Sequence, residues 1–437
     1  MFSVLKRHAS WLLLLVSVSV QAQDDVLTIR ITQGIEGAQP ISIAPFSWNG
    51  GNIPPPTDMA QVIADDLARS ARFAPVPFSE LPSRPTTADQ INYQDFRMLG
   101  TANLVIGRLT QSANNRFVAE FRLFDVFRAQ QITGFQVESS AAELRRKAHQ
   151  FSDIIYERLT GERGAFDTRI AYITEHKLGD PKRRYRLIVA DSDGFNPQPT
   201  LQSPAPILSP TWSPDGQQLA YVSFEQDRPR IYIQELATGT RRLVSEYPGL
   251  NSAPTFSPDG SRLAITLSKD GNPEIYVLYL GSNRLQRLTN NPAIDTEPAW
   301  APDGRSIIFT SDRGGTPNIY RIPITGGREE RLTFEGRYNS RATFAPQGTK
   351  IAFVHQVDSG FSIATLDMDN GAIRVLTQTG LDESPSFAPN GSMILYATSD
   401  DEGSSLAAVS TDGRVRQRLG EAEQVVREPA WGPFRNP

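Results

Sequence analysis

The side chains with most to offer a partner or a reaction stand just ahead of a recurring proline. Leu250-Asn251-Ser252-Ala253, Ile294-Asp295-Thr296-Glu297, Leu381-Asp382-Glu383-Ser384 and Val426-Arg427-Glu428 each lead into it, and Tyr338-Asn339-Ser340-Arg341 leads into Ala342 at the equivalent place. Asp295, Glu297, Asp382, Glu383 and Glu428 set against Arg341 and Arg427 make a net acidic group, suited to a basic or polar segment of another molecule. Groups for covalent or metal chemistry are sparse. There is no cysteine, hence no thiol nucleophile, thiolate zinc site or disulfide. Past residue 22 the histidines are His149, His176 and His355, none with metal spacing, and lone histidines of this kind are expected at the surface. No Gly-x-Ser-x-Gly elbow, phosphate loop or Gly-x-Gly-x-x-Gly occurs. Asp367-x-Asp369-x-Gly371 and Asp191-x-Asp193-Gly194 lack the further acids of a calcium loop and read as hairpin turns. No catalytic, metal or cofactor residue is assigned, and the chain is expected not to be an enzyme.

What positions the acidic group is a repeat. Pro210 begins PTWSPDGQQLAY, Pro254 PTFSPDGSRLAI, Pro298 PAWAPDGRSIIF, Ala342 ATFAPQGTKIAF, Pro385 PSFAPNGSMILY and Pro429 the truncated PAWGPF. The starts lie 44, 44, 44, 43 and 44 residues apart, one supersecondary unit copied many times. Each unit reads as four strands; in the copy at 254 these are Ala253–Ser257, Arg262–Ser268, Glu274–Leu280 and Leu285–Thr289. Ser-Pro-Asp-Gly is a turn between the first two, proline fixing φ and glycine closing it. Four antiparallel strands per unit make a propeller blade. Ile170–Ile173 matches a second strand and 429–433 a first strand, so the two fragments complete a sixth blade and close the ring over 166–437. In a four-strand meander the Ser-Pro-Asp-Gly turns fall on one face. The segments before each proline fall on the other, around the axis, where a concave site is expected. Trp212, Phe256, Trp300, Phe344, Phe387 and Trp431 are expected between neighbouring blades.

The region before the ring differs. Lys6 and Arg7 precede an apolar run, Trp11 to Val20, and Val20-Gln21-Ala22 presents small residues: a secretory signal over residues 1–22, with an apolar core too short to span a bilayer. Its removal leaves 42 Lys+Arg against 48 Asp+Glu, a net charge of −6 that argues against nucleic acid. No later stretch is apolar enough for direct membrane insertion, so an exported, soluble product is expected. Residues 23–33 form a flexible segment with polar Gln23, Asp24 and Asp25, then Val26, and alternating Leu27, Ile29 and Ile31. Residues 34–162 mix strands and helices: a helix over Met59–Arg72, another near Asn92–Leu99, strands at Asn103–Leu109, Phe117–Val126 and Gln131–Val137, and a long helix from Ser140 to Leu159 stopped by Gly161. The fold class is therefore an α+β N-terminal domain followed by an all-β six-bladed propeller.

Together, the signal, the mixed domain and the Ser-Pro-Asp-Gly ring resemble the TolB family, periplasmic components of the Tol-Pal envelope system of Gram-negative bacteria. Leu381 to Tyr396 and Val409 to Arg414 resemble the family's last full blade most closely. The resemblance implies a periplasmic protein-interaction role supporting outer-membrane integrity and constriction during cell division. It implies binding of the lipoprotein Pal at the propeller mouth and of TolA through Gln23 to about Gln33, with Pal biasing whether that segment is docked or free. For Pal it points to Ala253 and Thr296, with Asn251, Asp295 and Glu297 beside them; Arg341, Asp382 and Glu383 complete the mouth. Relatives can carry histidine where this chain has Leu250. No cofactor and no oligomerisation are implied; a monomer is expected. The rival class is a periplasmic hydrolase or lyase acting in the axial funnel.

Overall fold

The computed structural model describes residues 29–33, 37–51, 53–112, 116–175, 184–358, 360–400, 403–419 and 425–435. The signal over 1–22 and Gln23 to Leu27 lie outside the described residues.

The N-terminal domain is built on one sheet. Its strands run in the order Phe73–Pro75, Gln39–Ile43, Asn103–Gln111, Phe117–Asp125, Gln130–Ser139, with Ser47–Trp48 also paired to Asn103–Gln111. Gln39–Ile43 is parallel to both neighbours, and the rest of the order is antiparallel. Helix Met59–Arg69 starts at Asp58, whose carboxylate accepts the Gln61 N–H at 3.1 Å. It stops short of the expected Arg72, because Ala71 has φ 66. The long helix Leu144–Thr160 follows a 3₁₀ turn held by a Ser140–Glu143 capping box, and ends at Gly161, whose φ of 79 suits glycine. These two helices bury Met59, Ile63, Leu67, Phe151 and Ile155 against Ile41, Val105 and Phe121 of the sheet. The short helix Tyr93–Met98 covers the other face through Phe96, beside Leu104, Ile106 and Phe124.

The rest of the chain forms six blades arranged as a ring. Five are sequential: they open with Ile207–Trp212, Asn251–Phe256, Asp295–Trp300, Asn339–Phe344 and Asp382–Phe387. In the sixth, Val425–Trp431 pairs antiparallel with Arg169–Glu175, joining the end of the chain to the start of the ring. Trp212 and Trp300 donate their indole N–H to Ala430 and Thr255 carbonyls of the preceding blade, at 3.0 and 3.2 Å. Each aromatic thus fills an interblade seam without leaving its polar atom unpaired.

Two features depart from the sequence reading. The innermost strand of each repeat begins about two residues before the expected start, so Asn251 to Ala253 and their equivalents are strand, not connecting loop. The strand carries a bulge there: Ser252 pairs with Thr266 and Thr255 with Ala264, leaving Ala253 and Pro254 opposite one residue. The same slip recurs in all six blades. It suits the recurring proline, since this strand is the edge of its blade's sheet and the bulge asks for no ladder donor. The second departure is Ile29–Gln33, part of the segment read as flexible. It pairs antiparallel with Arg416–Leu419 as a fifth strand on the Asp382–Phe387 blade, taking up backbone groups that an edge would leave bare.

Candidate partner-binding site

The bulge fixes what lines the axis. Its first residue has positive φ in every blade: Ser209 52, Ala253 46, Glu297 55, Arg341 53, Ser384 55 and Glu428 49. None is glycine, so each carries a left-handed backbone that costs an L-residue about 1 kcal/mol. Three of the six side chains are charged, and they converge. The Arg341 Nε donates to Glu297 Oε1 at 3.0 Å, and its Nη2 to Glu428 Oε1 at 3.2 Å. Its Nη1 donates to Ser384 Oγ. Glu297 Oε2 accepts from the Arg341 N–H at 3.0 Å and from Thr310 Oγ1 at 2.9 Å. Glu428 Oε2 accepts the Ser209 N–H. One guanidinium therefore ties four blades across the axis, Glu428 lying in the strand that closes the ring. Burial works against the charge on Arg341, but Glu428, Glu297 and Glu383 outweigh it and hold its pKa above the usual value.

The residues expected at the mouth separate into two groups. Ala253, Thr296, Glu297, Arg341 and Glu383 are half-buried around the axis. Asn251, Asp295 and Asp382 were expected on the rim; they are 0, 0 and 1 % exposed. Asp295 faces back into its blade, and Asn251 and Asp382 into the connection that precedes theirs. Asn251 accepts from Ser245 Oγ at 2.6 Å and the Tyr247 N–H at 3.0 Å. Asp295 pairs with Arg313 at 2.7 Å. Asp382 accepts from the Thr377 and Thr379 hydroxyls. These side chains hold the interblade turn by side-chain-to-backbone and side-chain bonds. The acidic rim is accordingly weaker than the sequence suggests. The interblade connections expose apolar side chains, Ile294, Phe334 and Leu381, with charged Glu335 and Arg337 beside Phe334. The N-terminal domain sits against the other face. Asn390, in a Ser-Pro-Asp-Gly-type turn, donates to the Arg163 carbonyl at 3.0 Å. A cleft of about 1020 Å³ runs between such turns and Arg72, Tyr156 and Arg163. Among the described residues, the N-terminal domain makes its contacts on that face and not at the mouth. Of the segment read as the second contact, Ile29 and Ile31 lie in the strand paired with Arg416–Leu419.

A second cluster was missed by sequence reasoning. His149, expected at the surface, is 2 % exposed and lies at the seam between the domains; His355, at 9 %, bonds Asn339 Oδ1 through Nδ1 at 2.7 Å. His149 Nδ1 is 2.7 Å from Asp66 Oδ2, and its Nε2 is 3.6 Å from Asp193 Oδ2. Arg69 bonds Asp66 at 2.8 Å and Ser192 at 3.1 Å; Arg145 bonds Asp193 at 2.5 Å. Among the described residues this trio alone brings three metal-type donors together. It does not suit a cation: both carboxylates already hold an arginine, and the imidazole turns one nitrogen to each. Little in the sequence marked it: Asp66 and His149 stand outside any motif, and Asp193 was read only as part of a hairpin turn.

Among the described residues no helix is long and apolar enough to cross a membrane. The TolB beta propeller domain model matches residues 156–435, and the TolB amino-terminal domain model matches 27–132. The chain is 59 % identical over 408 residues to the Tol-Pal system protein TolB of Nitrosococcus oceani, covering 93 % of this chain and 94 % of that one. It is 56 % identical over 430 residues to the same-named protein of Thioalkalivibrio sulfidiphilus, covering 98 % of each. The crystal structure of TolB from Acinetobacter baumannii superposes with a TM-score of 0.86 at 42 % identity, over 93 % of this chain and 100 % of that one. With a propeller and an amino-terminal domain each matched, and these relatives alike over almost their whole length, the chain belongs to the TolB family and is a component of a Tol-Pal system.

Proposed function

We propose that this chain is a periplasmic adaptor that binds the lipoprotein Pal at the propeller mouth and TolA through its N-terminal segment, and so supports outer-membrane integrity and constriction during division. The observation that carries the reading is the mouth itself. The described part of the N-terminal domain lies on the other face, and the connections leading to half-buried Thr296, Glu297 and Glu383 carry exposed Ile294 and Leu381, with exposed Phe334 in the next connection. An apolar rim around a few fixed polar groups is what a protein segment is recognised by. The N-terminal strand supports the second contact, because a five-residue edge strand is held by a short ladder that a competing strand can replace. The protein acts as a monomer and without a cofactor in this reading.

Thr296→Arg places a bulky charge at the mouth without touching the Arg341 network. It is expected to weaken binding of the purified Pal periplasmic domain about tenfold or more in calorimetry, with the circular dichroism spectrum unchanged. Undiminished affinity in the folded variant moves the site elsewhere. Deleting residues 23–33 is expected to abolish TolA binding and spare Pal; survival of both contacts refutes the assignment of that segment.

A further inference from the structure

The seam cluster joins two bodies: Arg69 to Ser192, Arg145 to Asp193, and between them the His149 imidazole, whose link alone depends on a titratable proton. Asp66 and Arg69 come from helix Met59–Arg69, His149 and Arg145 from helix Leu144–Thr160, and Asp193 from the turn after propeller strand Tyr185–Asp191. The His149–Asp66 arm is internal to the N-terminal domain, at hydrogen-bond length. The His149–Asp193 arm crosses to the propeller. At 3.6 Å it is an ion-pair distance, and Nε2 is buried with no hydrogen-bond partner.

These two arms need different proton counts. A neutral imidazole carries one N–H, which the 2.7 Å contact with Asp66 fixes at Nδ1. Its Nε2 lone pair then faces the Asp193 carboxylate, a repulsive arrangement in a water-poor seam. A doubly protonated imidazolium instead presents an N–H to each carboxylate. We propose that His149 is a proton-operated clasp between the domains: the imidazolium bridges Asp66 to Asp193, and loss of its second proton releases the propeller arm while leaving the Asp66 arm intact.

The surrounding charges favour the clasped form. Asp65 and Asp66 face it from the first helix along with Arg69, Arg145 from its own helix, and Asp191 and Asp193 from the propeller. Arg435 is shared between Asp191 and Asp167. Burial by itself lowers the His149 pKa, but Asp66 and then Asp193 outweigh it, and the net direction is up from the ordinary 6.5. A raised folded value means that the clasp's contribution is complete below the unfolded pKa and is lost as pH rises through the folded one. Asp66 and Asp193 are held below their ordinary 3.8, despite burial, chiefly by His149 and then by Arg69. Their contribution is complete above that value and lost as pH falls through the lowered ones. Asp153, further along the long helix, accepts the Phe166 and Asp167 N–H groups at 2.7 and 3.1 Å, and burial pushes its carboxyl up to about 7. It titrates beside the clasp, and any test has to remove it.

The test uses the full mature chain carrying Asp153→Asn. Because the chain has no cysteine, spin labels at Arg128→Cys and Asp303→Cys report a single interdomain distance. ¹⁵N labelling of the few histidines reports the His149 protonation state directly. The expected result is doubly protonated His149 at pH of about 6, with a narrow distance distribution that broadens as the imidazole loses its second proton. With His149→Gln, which keeps one N–H for Asp66, the distribution should be broad at every pH. A neutral His149 at that acidic pH overturns the proposal. So does a distribution that stays narrow through the His149 titration, or a His149→Gln variant that keeps the pH response.

Discussion

At the propeller axis, Arg341 reaches Glu297 in the preceding blade and Glu428 in the closing strand. At the domain seam, His149 lies between Asp66 and Asp193. Both place one cation between carboxylates of separate structural units, but their surroundings differ. The Arg341 side chain is 31 % exposed and opens onto the mouth, so water and salt share its charge. At the seam Asp66, Arg69, His149 and Asp193 are almost wholly enclosed, and each depends on its neighbours for solvation. The axis can therefore lose or exchange a partner at modest cost, as a binding surface must, whereas the seam holds only while all its members are present.

The largest effect is expected from Asp66→Ala, which strips the partner from both Arg69 and His149. It should cost about 3–5 kcal/mol, as breaking a buried pair does, read from the chemical-denaturation transition of the N-terminal domain. A loss below about 1 kcal/mol would make the two networks equivalent. Arg341→Met should cost only about 1–2 kcal/mol, and that difference should shrink in high salt while the Asp66→Ala loss persists. Equal salt responses would contradict the contrast in burial. Ala253→Gly is the smallest change. It relieves a left-handed backbone worth about 1–2 kcal/mol per residue and adds about 0.5–1 kcal/mol of unfolded-chain entropy. The expected net is a stabilisation of a few tenths to about 1 kcal/mol; a destabilised variant would show that the methyl group, not the backbone, matters there.

The same contrast explains what was legible in the sequence. The ring was readable because Ser-Pro-Asp-Gly encodes its turn locally and recurs at fixed spacing, so blade count and closure through 429–433 needed no three-dimensional knowledge. Arg341 and Glu297 were placed near the axis for that reason. The burial of Asn251, Asp295 and Asp382 was not readable: each opens its strand ahead of the bulge, and the groups that enclose it come from the preceding connection or a neighbouring loop, which no alternating pattern announces. The seam was least readable of all. Asp66 and His149 stand 83 residues apart on two helices that repeat nothing, and only tertiary packing joins them to Asp193.

The six left-handed positions have a consequence for how such a channel changes over generations. Ser209, Ala253, Glu297, Arg341, Ser384 and Glu428 are spread over 219 residues of sequence, yet the bulge delivers each to the same radius and depth. Their shared backbone comes from the bulge, which recurs whatever side chain stands there. The channel's character is thus written as a six-letter word on one repeated frame, and because Arg341 meets Glu297, Ser384 and Glu428 there, a change at one letter alters the reading of the others.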